Sequence, residues 1–162
     1  MKLIKEITES VNYLVEENDG KKTLFIEGPF LVSEKVNKNG RMYKEETMRK
    51  EVGRYVTEYV DKNRAFGELG HPDTPSINLD RVSHIIVGLR QEGTAWIGKA
   101  KILETPMGNI ARSLIEGGAQ LGVSSRGMGS LKAINGVNIV QDDFHLATAA
   151  DIVADPSAPG AF

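Results

Sequence analysis

The sequence predicts an α+β fold: a mainly antiparallel sheet of about seven strands, closed or nearly closed into a barrel, with helices packed outside it. Short runs rich in β-branched and aromatic residues recur along the chain, separated by glycine and acidic turns. Helical spacing of apolar residues is confined to three segments. With 162 residues, 40% of them hydrophobic, the chain fits one domain with a full core and leaves little for a second.

In order, Ile4, Ile7, Val11, Leu14 and Val15 recur at helical spacing between Leu3 and Glu17, ahead of an Asn18-Asp19-Gly20 turn. Residues 1–20 are therefore expected to be an amphipathic helical arm preceding a single domain over residues 21–162. Thr23 to Val32 reads as a strand, with Gly28-Pro29 marking a bulge or bend, and Asn37-Lys38-Asn39-Gly40 turns the chain. Met48, Val52, Tyr55, Val56, Tyr59 and Val60 mark one face of a helix from Lys44 to Val60. Phe66 to Asp80, rich in Gly, Pro and Asp, is expected to be a loop, and Arg81 to Leu89 with Thr94 to Leu103 a hairpin around Gln91-Glu92-Gly93. Pro106 to Glu116 carries every helix signal: Thr105 as cap, Pro106 in the first turn and Gly117-Gly118 as the stop. Leu121 to Ser125, Ser130 to Ile134, Val137 to Val140 and Ala147 to Val153 are short strands, and Ala154 to Phe162 an irregular tail.

Twenty Lys and Arg against 22 Asp and Glu give a net charge of −2, without the basic excess that tracks a phosphate backbone, so nucleic acid is not the expected partner. The absence of cysteine excludes disulfides, thiolate metal sites and cysteine nucleophiles. The N-terminal segment interrupts its apolar positions with charges, unlike a secretion signal, and no run approaches the ~20 apolar residues of a membrane span. A soluble intracellular protein is expected.

Two segments concentrate residues that neither a core nor a surface needs together: Gly67-Glu68-Leu69-Gly70-His71-Pro72 and Gly122-Val123-Ser124-Ser125-Arg126-Gly127-Met128-Gly129. His71, on a backbone restricted by glycine and proline, can present a near-neutral imidazole to a cleft. The second segment can expose a hydroxyl beside backbone N–H groups, here those of Arg126 and Gly127, that would hold an oxyanion. A serine hydroxyl needs a base to take its proton, so the two segments gain catalytic meaning only as a pair. Asp151 is the expected third member, because a carboxylate interrupting an apolar strand is costly without a partner; His145, Asp143 and Asp155 are alternatives. Arg126 fits equally a charge near the oxyanion or a fork binding carbonyls. Glu68 could pair with Arg41 or orient the His71 loop. His84 reads as packing or surface. Glu68, His71, Asp73, His84 and His145 are ligand types for a metal-dependent hydrolase, yet no pair has His-x-x-x-His spacing, and neither metal nor cofactor is expected. A non-catalytic shell- or scaffold-binding module is the other alternative.

The stretches Asn37-Lys-Asn-Gly-Arg41-Met-Tyr43, Gly67 to Pro72, Gly122 to Ser130 and Asp151-Ile-Val-Ala-Asp-Pro-Ser-Ala-Pro159 together resemble the prohead core proteases of contractile-tailed bacteriophages. That family is similar to the herpesvirus assembly proteases, which implies a β-barrel ringed by helices and a serine nucleophile served by histidine. The Ser-x-Gly context of such enzymes matches Ser125-Arg126-Gly127, which makes Ser125 the expected nucleophile and Ser124 its neighbour; the place of the herpesvirus second histidine falls near Asp151. The resemblance implies cleavage of scaffold core and capsid proteins inside the assembling prohead, in the host cytoplasm, after glutamate with an aliphatic residue two positions earlier. Ile4-Lys-Glu6, Ile7-Thr-Glu9, Leu14-Val-Glu16 and Leu114-Ile-Glu116 match that pattern, so self-cleavage of the arm is expected. Self-association is left open.

Overall fold

A computed structural model of the chain describes residues 2–8, 11–70 and 72–154. Five strands form the larger sheet, in the order β2-β3-β7-β6-β5: β2 (Asn12–Asn18), β3 (Lys21–Val32), β5 (Phe66–Glu68), β6 (Val82–Glu92) and β7 (Ala95–Ile102). A three-stranded sheet has β8 (Gly122–Gly129) between β1 (Lys2–Thr8) and β11 (His145–Val153). A small third sheet joins β4 (Arg41–Met42), β10 (Val137–Val140) and β9 (Leu131–Ile134).

Alternation along the strands builds the core. On β3, Leu24, Ile26 and Phe30 turn inward, and on β7 Trp96, Ala100 and Ile102 do the same. They join one cluster with Ile4, Val123, Leu146 and Ile152 of the second sheet. The two larger sheets meet where Leu69 bridges Ile152 and the Gly70 N–H donates to the Ile152 carbonyl. The structure is mostly β-sheet with few helices; no closed ring of strands is found among the described residues.

Two of the three expected helices form. Helix α1 (Glu45–Tyr55) continues as a π-helical turn (Val56–Val60), and α2 (Pro106–Glu116) has the expected cap, the Gly108 N–H donating to Thr105 Oγ1 at 2.9 Å. No helix among the described residues is long and apolar enough to cross a membrane.

The N-terminal helix is the main correction. Its segment is instead the two strands β1 and β2, which extend different sheets. Asn18-Asp19-Gly20 does not stop a helix. It is the turn of a β2–β3 hairpin, with positive φ at both central residues, 51° at Asp19 and 79° at Gly20, and Asn18 opposite Lys21. Backbone pairing along two sheet edges outweighs a helical pattern that seven-residue pieces rich in Ile, Val, Thr and Asn support weakly.

The expected loop at Phe66 to Asp80 begins with a strand, β5, and ends in a 3₁₀ turn at Leu79–Arg81. Gly67 is demanded by crowding: a Cβ there would lie 2.0 Å from His84 Nε2 and 2.2 Å from the Ala150 carbonyl oxygen. Of the expected C-terminal tail, residues 155–162 lie outside the described residues.

Candidate active site

Strand β8 organises the site. It is paired on both sides, with Ser125 opposite Glu6 of β1 and Ser124 opposite both Ile7 of β1 and Asp151 of β11. Alternation sends Ser124 and Arg126 to one face and Ser125 and Gly127 to the other. Both serines are buried, at 0% and 3% exposure.

The first face is built around Arg126, whose guanidinium is fully buried and uses every nitrogen. Nε donates to Asp151 Oδ2 at 2.9 Å and Nη2 to Asp151 Oδ1 at 3.1 Å, a bidentate pair, while Nη2 also donates to Glu68 Oε2 at 3.1 Å. Nη1 donates to the carbonyls of Thr74 and Ser76 at 2.7 and 2.8 Å, so Arg126 is the fork that gathers carbonyls and ties the 72–78 loop over β8. Asp151 Oδ1 also accepts the Glu68 N–H at 3.0 Å. Burial pushes the Asp151 carboxyl up to about 6, against the opposing pull of Arg126.

Asp151 thus has the partner its setting demands, and among the described residues that partner is a guanidinium. Opposite Ser124, it shares Ser124's face and not Ser125's, so the structure does not bring Ser125 and Asp151 together on one side of the sheet. Glu68 pairs with Arg126 and accepts the Asn78 N–H, while Arg41 is taken by Glu6, which corrects the expected Glu68–Arg41 pair. The N–H groups of Arg126 and Gly127 lie inside a strand flanked by Lys5 and Ile4 on one side and Thr148 and Leu146 on the other. Consecutive N–H groups point to opposite edges of a strand, so one of the two faces β1 and the other β11, and both edges are covered.

His71 and Asp155 lie outside the described residues. Asp143 is exposed and accepts the Ser130 N–H and hydroxyl at 2.9 and 2.6 Å, closing a turn. His145 is opposite Met128 at the far end of the ladder, its Nδ1 3.9 Å from Glu51. Among the described residues no group of three or more His, Asp or Glu side chains is placed to hold a metal ion.

His84 is a packed core residue. Its Nε2 lies 2.6 Å from the Ala150 carbonyl, which can only accept, so that nitrogen carries the hydrogen and Nδ1 accepts from Ser83 Oγ at 2.7 Å. Burial pushes its pKa down to about 4. Between pH 6.5 and about 4 the unfolded chain therefore binds a proton that the folded chain refuses, and this contribution to stability is lost as pH falls through that window, by up to about 3 kcal/mol. Asp151, shifted upward, acts with the opposite sign. Urea midpoints at pH 7 and 4.5 should fall more for the wild type than for His84→Gln; an equal fall in both would show that His84 is not the group responsible.

The fold superposes on the bacteriophage T4 capsid assembly protease with a TM-score of 0.87 and 32% identity, covering 96% of this chain and 98% of that one. The chain is also 37% identical to the prohead core protein protease of Enterobacteria phage T4, over 97% of this chain and 77% of the relative. The family described as prohead core protein serine protease matches residues 5–162, and the chain belongs to that family. It is a serine peptidase of the T4 prohead type.

Proposed function

We propose that the enzyme is an endopeptidase that cleaves scaffold core and capsid precursor proteins within the assembling prohead, in the host cytoplasm, after glutamate in (Ile/Leu)-x-Glu sequences. One observation carries the assignment of the site: a pair of buried serines on β8, next to an arginine that anchors the 72–78 loop over the same strand. His71 takes the proton of Ser125 as the serine oxygen bonds to the carbonyl carbon. The Arg126 and Gly127 N–H groups hold the oxyanion once the ladders on both sides of β8 open around them. The C–N bond then breaks, His71 protonates the leaving amine, and water releases the acyl group. Asp151 Oδ2 accepts a single hydrogen bond among the described residues, which leaves a lone pair for an imidazole N–H on the Ser124 face. The two larger sheets, abutting at Leu69 and Ile152, are the walls of a herpesvirus-protease-like barrel in this proposal, and the residues 1–20 are removed by the enzyme itself.

Ser124 is the second reading for the nucleophile, favoured by its position opposite Asp151 and on the face that the 72–78 loop covers. A fluorophosphonate probe, added to enzyme that is turning over a Glu-containing peptide and located by mass spectrometry, separates the two. An adduct on Ser125 is expected. An adduct on Ser124 reassigns the nucleophile, and no adduct during continued turnover rejects serine acyl transfer.

A further inference from the structure

Glu68 and Asp151 are two carboxylates buried with a single cation. Their side chains and that of Arg126 are exposed by 0%, 1% and 0%, and among the described residues Arg126 is the one fully buried cation. The cluster therefore carries an excess of negative charge out of reach of bulk solvent.

The backbone is bent to place Glu68 there. Gly67 and Glu68 pair with His84 and Val82, so Ser83 is an extra residue on β6 between them. Such a bulge re-aims a strand, and here the Glu68 N–H donates to Asp151 Oδ1 at 3.0 Å. The side chain takes two donors on one oxygen: Oε2 accepts from Arg126 Nη2 at 3.1 Å and from the Asn78 N–H at 3.0 Å. Among the described residues Oε1 has long contacts alone, 3.5 Å to Asn78 Nδ2 and 3.7 Å to Arg81 Nε.

A carboxylate paired bidentately with a guanidinium has its charge answered and would do little to hold a second cation. Asp151 is paired in this way, through Nε and Nη2. Glu68 draws on the same Nη2, so one guanidinium is divided between two carboxylates and a negative charge is left over beside Asp151. That excess is costly to the fold, since a neutral side chain of the same shape at position 68 would leave a balanced Arg126–Asp151 pair. A buried charge kept at the expense of stability points to chemistry.

The other ionisable groups around the cluster do not cancel it. Tyr55 of α1, pushed up to about 12 by burial, and His84 of β6, pushed down to about 4, are both neutral near pH 7. Arg81, in the turn at Leu79–Arg81, is 45% exposed, and solvent screens its charge across the 3.7 Å to Glu68.

We propose that Glu68 is a positioning residue of the peptidase: by sharing Arg126 it leaves Asp151 with the negative charge that the protonated base needs, and by accepting the Asn78 N–H it holds the 72–78 loop to the same cluster. The proposal rests on the mechanism above, in which an imidazole takes the serine proton and becomes a cation. Glu68 acts through Asp151 and Arg126 and touches no reacting atom.

The test is Glu68→Gln in the full chain. Glutamine can keep its oxygen on Arg126 and the Asn78 N–H and turn its NH₂ toward the long contacts, so shape and clamp remain and the charge goes. At pH 7.5 its melting temperature is expected to equal or exceed that of the wild type, while kcat on a Glu-containing peptide falls about tenfold or more with KM unchanged. The acid limb of the pH profile of kcat/KM is expected to move to lower pH by about one pH unit. Both the base and Asp151, which the Glu68 charge pushes upward, lose a negative neighbour. Glu68→Asp, which keeps the charge and shortens the clamp, should lower kcat and leave the limb where the wild type has it. An unmoved limb in Glu68→Gln, a melting temperature that falls with the activity, or a limb displaced equally in Glu68→Asp would each overturn the proposal. Wild-type enzyme with neither turnover nor fluorophosphonate labelling sinks the serine mechanism; turnover and labelling with an unmoved limb in Glu68→Gln sink the role of Glu68 alone.

Discussion

Peptide cleavage is expected to fall on the order of 10⁴-fold or more when Ser125 is replaced by alanine, with Ser124→Ala costing much less. The size follows from the cooperation of nucleophile and base: without the hydroxyl, no acyl-enzyme forms, and what remains is catalysis by positioning alone. Both substitutions remove one oxygen from a buried strand position, so their costs to stability should be similar and small, and a difference in turnover reports chemistry. Steady-state kcat on a Glu-containing peptide, with melting temperatures as a control, decides the matter. The reverse ranking would transfer the nucleophile to Ser124, whose face carries Asp151 and Arg126.

Arg126→Met is expected to cost about 3–5 kcal/mol of stability, the largest loss for any single substitution outside the hydrophobic core. Methionine fills much of the same space, so the loss is electrostatic. Glu68 and Asp151 would be left as two carboxylates buried at 0% and 1% side-chain exposure without their shared cation, and the Thr74 and Ser76 carbonyls would lose their donor. With the cation gone, burial holds the proton on Asp151 to still higher pH than in the unfolded chain. The destabilisation should therefore be greatest near neutral pH and shrink as pH falls toward 4. Urea unfolding at pH 7.5 and 5 checks both size and sign. Adding Asp151→Asn should recover part of the loss, since it removes one of the stranded charges; no recovery would mean that Arg126 acts mainly through the loop carbonyls.

What the sequence disclosed depends on how local the cause was. Helix α2 was legible to the residue because Thr105, Pro106 and the glycines after Glu116 encode its ends within the segment itself. Asp151 was recognisable as a carboxylate in need of a partner, but its partner is 25 residues away in sequence, and spacing alone could not separate a guanidinium from an imidazole. The apolar positions of residues 3–17 fit a helix in isolation. They form strands because β8 and β3 offer unpaired edges, and the Asn-Asp-Gly turn was the one local signal of a hairpin. The contacts of Glu6 with Asn37 and Tyr43 span 31 and 37 residues and join two different sheets, so no local pattern in the sequence announces them.

Where β11 begins, the Leu146 N–H donates to Glu51 Oε2 and the Leu146 carbonyl accepts from Arg54 Nη2 at 3.0 Å, while Arg54 grips Glu51 through three hydrogen bonds. A salt-bridged pair on α1 thereby imitates the peptide unit of one more strand and caps a rim that would otherwise template another chain. With its N–H and carbonyl both engaged, Leu146 offers no free backbone group to an incoming strand.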